Sequence, residues 1–332
     1  MDRVALILLS RQFFHEKLVE SCKIRYNYKK TINFSVKRFL HQLGAYMFGK
    51  RPDGRLVRDL DPMQKIMPYI MKTRTDSMNM YEDTFDCKPM DMYIKAKAAE
   101  GLKLSYMHII IAAMVRLIAL RPQLNRFCIN GKIYTRPKIW VSFVVHPKLD
   151  DGSTGTTIKL CFEGTESIQE IAETINAAIA KETVNRTEEN GTDKLMRTLM
   201  NTIPGPFIKL VVNTLLWMDK HSLLPKKIVE LSPFHTSFFI TNLKSLGINH
   251  IYHHVYEFGT TGLFLAMGKE QLVPAVQGEE ITTRKRLGWG IVSDERFCDG
   301  LYFALALREF RKMMRNLKAL ETPLDKKIED DK

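Results

Sequence analysis

The chain has 332 residues, 45% of them hydrophobic and 26% charged, the make-up of a globular protein with one large domain or two smaller ones. Its net charge is +13, and residues 1–58 hold thirteen Lys/Arg against four Asp/Glu, so +9 of it (13 − 4) lies there. No apolar run reaches the roughly 20 residues of a membrane-spanning helix. No zinc finger, ribonucleoprotein signature or basic–aromatic stripe accompanies the charge, which argues against nucleic acid as a partner.

Residues 1–54 read as a basic N-terminal extension. Arg and Lys interrupt its apolar stretches, and its first ten residues are too short and poorly framed for a secretory signal. Lys50-Arg51-Pro52-Asp53-Gly54 is a turn-rich boundary. From Asp59 the spacing of Leu60, Met63, Ile66, Met67 and Ile70 predicts a helix, with Asp61-Pro62 as its start. Thr84 to Asp86 reads as a strand end, and Pro89 to Ala98 as a helix. Leu104 to Ala119 is apolar enough for a core helix, which makes His108 inside it a satisfied core residue. Arg121-Pro122 ends that helix. Asn130-Gly131 marks a hairpin over Phe127 to Tyr134. Ile139 to Val145 and Thr157 to Phe162 follow as strands. Ser167-Ile168-Gln169-Glu170 is a capping box for a helix to Ala180, and Val184 to Asp193 is loop-like.

Ile203 to Pro225 predicts an apolar helix through Phe207, Val211, Leu215 and Trp217, with Lys209, Lys220, Lys226 and Lys227 within or beside it. It is too short for a span and suits core packing, subunit packing or peripheral contact with a membrane surface. Thr236 to Gly247, Gly262 to Gly268 and Thr282 to Val292 read as strands. Ile251 to Phe258 reads as an apolar edge strand carrying the pair His253-His254. Neighbouring residues on a strand face opposite sides, so only one of the pair points into any one site. A helix opens at Asp299-Gly300, where an Asp accepts orphan N–H groups. Residues 319–332 are expected to form a charged, disordered tail.

The five cysteines, Cys22, Cys87, Cys128, Cys161 and Cys298, show no CxxC and no Cys/His cluster of metal-ligand spacing. We expect reduced thiols, no metal and a cytoplasmic location. Cys298 is expected to pack rather than react.

Three regions carry a resemblance. Gly290-Ile291-Val292 followed by Asp294-Glu295-Arg296-Phe297-Cys298-Asp299-Gly300 and a helix resembles the strand–HHxxxDG–helix signature of chloramphenicol acetyltransferase, shared by the acyltransferase core of the 2-oxoacid dehydrogenase complexes. The core helix with Pro122-Gln123-Leu124-Asn125, the hairpin and the following strand is similar to the "hPxLN" region of the dehydrogenase-type enzymes. Thr236 to Gly247 resembles their strand "GTFTISNLGxxG".

The resemblance implies an α/β fold, a two-layer sandwich of helices on a mixed β-sheet, over residues 55–318. It also implies acyl transfer from coenzyme A to a hydroxyl or thiol in a homotrimer, with the site between subunits. In the family the second motif histidine is the general base. Here Glu295 stands in its place, Asp299 is the motif aspartate, and Thr241 takes the place of the serine that hydrogen-bonds the oxyanion. An ordinary glutamate titrates about two units below histidine and is a weaker base near neutral pH; burial would raise it. Residues 1–54 are too short and too basic for the lipoyl domain that precedes such cores. Two functions therefore follow: a coenzyme A-dependent acyltransferase with a remodelled site built on Glu295, Asp299 and Thr241, or a catalytically inactive trimeric binding or scaffold protein.

Overall fold

A computed structural model describes residues 51–146, 155–184, 197, 201 and 204–330, and the chain divides between Lys50 and Arg51. The extension expected over residues 1–54 therefore lies almost wholly outside the described residues. So do Cys22, Ile203 and most of the loop expected over Val184 to Asp193.

Six strands form the main sheet. They are β2 (Met78–Asp86), β5 (Ile139–Val145), β6 (Thr156–Phe162), β7 (Phe238–Asn242), β8 (Leu263–Gln277) and β9 (Glu280–Asp294), in the order β2-β9-β8-β7-β5-β6. β7 runs parallel to β5 and β8, and the other pairs are antiparallel. The sheet is mixed, as expected. β1 (Arg55–Leu56), β3 (Arg126–Ile129) and β4 (Lys132–Thr135) make a separate small sheet. Its β3–β4 hairpin turns at Asn130 and Gly131, both with positive φ. This is the conformation that the Asn-Gly pair favours.

The helices are α1 (Pro62–Ile70), α2 (Cys87–Ala99), α3 (Tyr106–Leu120), α4 (Ile168–Val184), α5 (Gly205–Lys220), α6 (Lys226–Leu231) and α7 (Gly300–Arg315), accompanied by short 3₁₀ turns. None of them is long and apolar enough to cross a membrane. The core lies between one sheet face and a layer built from α2, α3, α4 and α7. Every residue of α3 from Tyr106 to Ala119 is buried. Phe238, Ile240, Leu265, Trp289 and Ile291 face this layer. Their alternating neighbours Phe239, Phe264 and Val292 face the other side, where Val255 and Tyr256 cover them.

Local signals explain the helix starts. The Asp61 carboxylate accepts the Gln64 N–H at 3.0 Å. Ser167 and Glu170 form the predicted capping box, with the Ser167 N–H donating to Glu170 at 2.7 Å and the Glu170 N–H to the Ser167 hydroxyl at 3.3 Å. His108 is a second cap. Its Nδ1 accepts the Ser105 N–H at 3.1 Å, and its Nε2 lies 3.1 Å from the Asn176 amide oxygen.

Two expectations need correction and two are extended. The Thr84–Asp86 strand end, as read, closes a strand that runs back nine residues to Met78 at the sheet edge. The strand read as Gly262–Gly268 is the inner part of β8, which runs on to Gln277, and Thr282–Val292 is nearly the whole of β9, so the two form one long hairpin. Ile251 to Phe258 is not a strand. Residues 249–251 instead lie flat over β8 and β9, so close that a Cβ on Gly268 would meet the His250 nitrogen at 2.3 Å, and one on Gly290 the Ile251 carbonyl at 2.6 Å. The tail is docked. Asp330 is buried and accepts two 2.7 Å bonds from Arg126. The Leu324 and Ile328 N–H groups donate to the Thr165 and Ala119 carbonyls at 2.9 and 2.8 Å. Arg116 inside α3 donates to the Ala319 and Thr322 carbonyls, at 3.2 and 2.7 Å.

His108 makes stability depend on pH. Burial holds its imidazole below the ordinary value. As pH falls below about 6.5 the unfolded chain takes up a proton that the folded chain refuses, so stability falls, by at most about 1.4 kcal/mol per pH unit for this one group. Denaturant unfolding followed from pH 7.5 to pH 5 should show a shallower decline for His108→Asn. Equal slopes would remove His108 from the effect.

Candidate active site

The end of β9 and the start of α7 are organised around Asp294. This buried carboxylate accepts the Arg296 backbone N–H at 3.1 Å and its guanidinium at 2.8 and 2.7 Å. The Ser77 hydroxyl donates to it at 2.9 Å, and the buried Arg74 guanidinium stands 3.9 Å away. Burial opposes the Arg296 charge, but the hydrogen bonds and charge of Asp294 outweigh it and raise that guanidinium above its ordinary value. Arg296 also reaches back to the Met71 and Lys72 carbonyls, at 3.3 and 3.4 Å, so it turns away from Glu295.

Glu295 follows in a short 3₁₀ turn, Glu295–Phe297. Its N–H donates to the Ser77 carbonyl at 2.9 Å and its side chain is exposed. Asp299 is the N-cap of α7 and accepts the Tyr302 N–H at 2.7 Å. Between them Phe297 and Cys298 are buried. Burial pushes the Cys298 thiol well above its ordinary value, which makes it a poor nucleophile, in line with the packing role expected of it.

Thr241 sits half-buried on β7. It follows Phe239 by two residues and so shares its sheet face, the one opposite the helix layer. Thr241 pairs with Ala266, and Ala266 with Gly290. Glu295 lies five residues beyond Gly290, which separates the two site residues by roughly 19 Å at the usual strand spacing and rise. One chain brings Glu295 and Asp299 together on one turn; it does not bring Thr241 to them.

His253 and His254 lie in the loop over the sheet. His253 stacks on Phe264 with ring centroids 3.9 Å apart. Its Nδ1 lies 2.9 Å from the His254 carbonyl, and burial lowers its imidazole from the ordinary value. On the same face Met80, Ile251 and Tyr252 are exposed, and the Tyr252 hydroxyl donates to Glu82 at 2.9 Å.

A cavity of about 300 Å³ opens where β7 ends, on the helix side of the sheet, lined by Asp91, Ser105, Tyr106, Asn242, Lys244 and Glu270 among others. Lys244 pairs with Glu270 at 3.0 Å. Two carboxylates against one lysine are a poor cradle for the phosphates of coenzyme A, and the cavity is not assigned to it. Among the described residues no cluster of His, Cys, Asp and Glu is arranged to hold a metal ion.

The other motif region is also explained. Asn125 donates its amide to the Arg136 and Lys138 carbonyls at 3.3 and 3.1 Å and accepts the Ser237 hydroxyl at 2.5 Å. It thereby ties the Pro122–Asn125 turn to the entrance of β7. Sequence reasoning missed Asp294, Arg74 and Ser77, which fix the turn from elements more than two hundred residues apart. The Asp-x-Arg spacing of 294 and 296 was the only local trace of them.

Several solved structures are similar to this chain. A probable dihydrolipoamide acetyltransferase of Listeria monocytogenes is 15% identical with a TM-score of 0.49, over 79% of this chain and 94% of that one. Dihydrolipoamide acetyltransferase of Azotobacter vinelandii is 14% identical with a TM-score of 0.49, over 80% and 93%. A chloramphenicol acetyltransferase is 10% identical with a TM-score of 0.46, over 79% and 99%. Comparison with protein families and with curated proteins finds no match.

The roles of the turn separate in stability. Asp294→Asn strands the buried Arg296 and should cost about 3 to 5 kcal/mol. Asp299→Ala loses a cap and should cost about 1 kcal/mol, while Glu295→Gln at an exposed position should stay within about 0.5 kcal/mol of wild type. Urea denaturation that ranks Asp299→Ala or Glu295→Gln above Asp294→Asn would contradict this assignment.

Proposed function

We propose that this chain transfers an acyl group from a coenzyme A thioester to a hydroxyl or thiol acceptor, in a site shared between copies of a homotrimer. The supporting observation is the geometry around Asp294. It holds Glu295 outward on a rigid turn, while Thr241 stands on the open sheet face of the same chain, too far away to share a substrate with it. A neighbouring copy supplies the missing half. The exposed apolar side chains Met80, Ile251 and Tyr252, over the β2–β9 end of the same face, give that copy a surface to cover.

In this reading Glu295 takes the proton from the acceptor O–H or S–H. The acceptor attacks the thioester carbonyl, and the Thr241 hydroxyl donates to the oxyanion. Collapse of the tetrahedral adduct breaks the C–S bond, and the departing thiolate receives the proton. Asp299 orders the turn and touches no substrate. The reading includes a cytoplasmic location, as expected from the scattered cysteines. The exposure of Glu295 within one chain favours a second reading, an inactive scaffold of the same fold.

Release of free thiol from acyl-CoA, followed with a panel of hydroxyl and thiol acceptors, tests both. The wild type should turn over. Glu295→Gln should lose about 10² to 10⁴ in rate and Thr241→Val about 10² to 10³, with assembly unchanged. No turnover by the wild type would leave the scaffold. Full activity in Glu295→Gln would remove the carboxylate from the mechanism.

A further inference from the structure

Helix α5 does not bury the face expected of a core helix. Phe207, Leu210, Thr214 and Trp217, spaced three, four and three residues apart, form one stripe along it. Phe207 is 55% exposed, Leu210 61% and Trp217 51%. The helix is held to the protein along the side that carries the half-buried Ile208, Val211, Leu215 and Met218. Asp219 is buried there and accepts the Arg51 guanidinium at 2.8 Å, which fixes how the helix is rotated and leaves the stripe outward. Core packing within the chain therefore does not account for these side chains.

Lys209 and Lys220 are exposed on one flank of the stripe, three turns apart, and Lys227 is exposed at the start of α6. None of the three forms an ion pair among the described residues; Lys226 does, with Glu230 at 3.6 Å. An apolar stripe with a tryptophan and an unpaired lysine flank matches the boundary of an anionic bilayer: the rings and Leu210 enter the acyl edge, and the lysines reach the phosphates. A second copy docking the same stripe would bring the lysine flanks together, and like charges oppose that contact.

We propose that the exposed face of α5 seats this protein on the surface of an anionic membrane. The proposal stands apart from the acyl-transfer reading, since no residue of the stripe belongs to the candidate site.

Sedimentation of the full chain with phosphatidylcholine vesicles, with and without phosphatidylglycerol, tests it. The protein should pellet with the anionic vesicles, remain in solution with the neutral ones, and be released by high salt. Leu210→Glu, at an exposed position that leaves the fold intact, should lower binding by about tenfold or more. Lys220→Glu should lower it chiefly at low salt. Wild type that ignores anionic vesicles overturns the proposal, as does a Leu210→Glu variant that binds equally well. Leu210→Glu that lowers the oligomeric mass, with no vesicle binding by wild type, gives the stripe to a second copy.

Discussion

The buried carboxylate of Asp294 is the fixed point on which the candidate site depends. It closes β9 and joins the chain at residue 77 to the chain at residue 296, with two guanidiniums and a hydroxyl around it. A carboxylate in that position is stable only with all its partners in place, because an unpaired buried charge costs several kcal/mol. The turn that follows therefore has little freedom. Glu295 is directed outward, and Asp299 is delivered to the N-terminus of α7 at the point where the first N–H groups need an acceptor. The motif carboxylate that touches nothing is displayed by one that touches everything.

The sheet is asymmetric in a way that bears on function. One face carries the helix layer and almost all of the core. Over β8 and β9 the other face carries a loop, laid so tightly that side chains at Gly268 and Gly290 would collide with its backbone, while over β6 Lys159 ties that face to α6 through the Val229 carbonyl at 2.8 Å. Thr241 belongs to this thinly covered face, together with Phe239 and Phe264. A hydroxyl there lies apart from the turn of its own chain, and this is the physical reason the proposed acyl transfer is assigned to a site between copies.

Much of the fold was legible in the sequence, for reasons that are local. The apolar run of α3, the Asn-Gly hairpin, the Ser167–Glu170 capping box and the Asp299 cap each need only a few neighbouring residues. What the sequence hid was set by distant partners. The tail reads as charged and free, yet Asp330 neutralises Arg126, which lies 204 positions earlier. The His253-His254 pair reads as a strand because nothing local shows that glycines on two other strands make room for a loop. Glu295, Asp299 and Thr241 could each be named from motifs, but their separation depends on the register of β7, β8 and β9, which only pairing reveals.

Mixing two inactive variants tests the shared site most directly. Glu295→Gln and Thr241→Val chains, allowed to exchange subunits, would form trimers in which some interfaces join an intact Thr241 to an intact Glu295 of its neighbour. With random exchange of equal amounts, about a quarter of the interfaces should be whole, and acyl transfer should return to roughly that fraction of the wild-type rate. A mixture that exchanges subunits and stays as inactive as either variant alone would contradict the account.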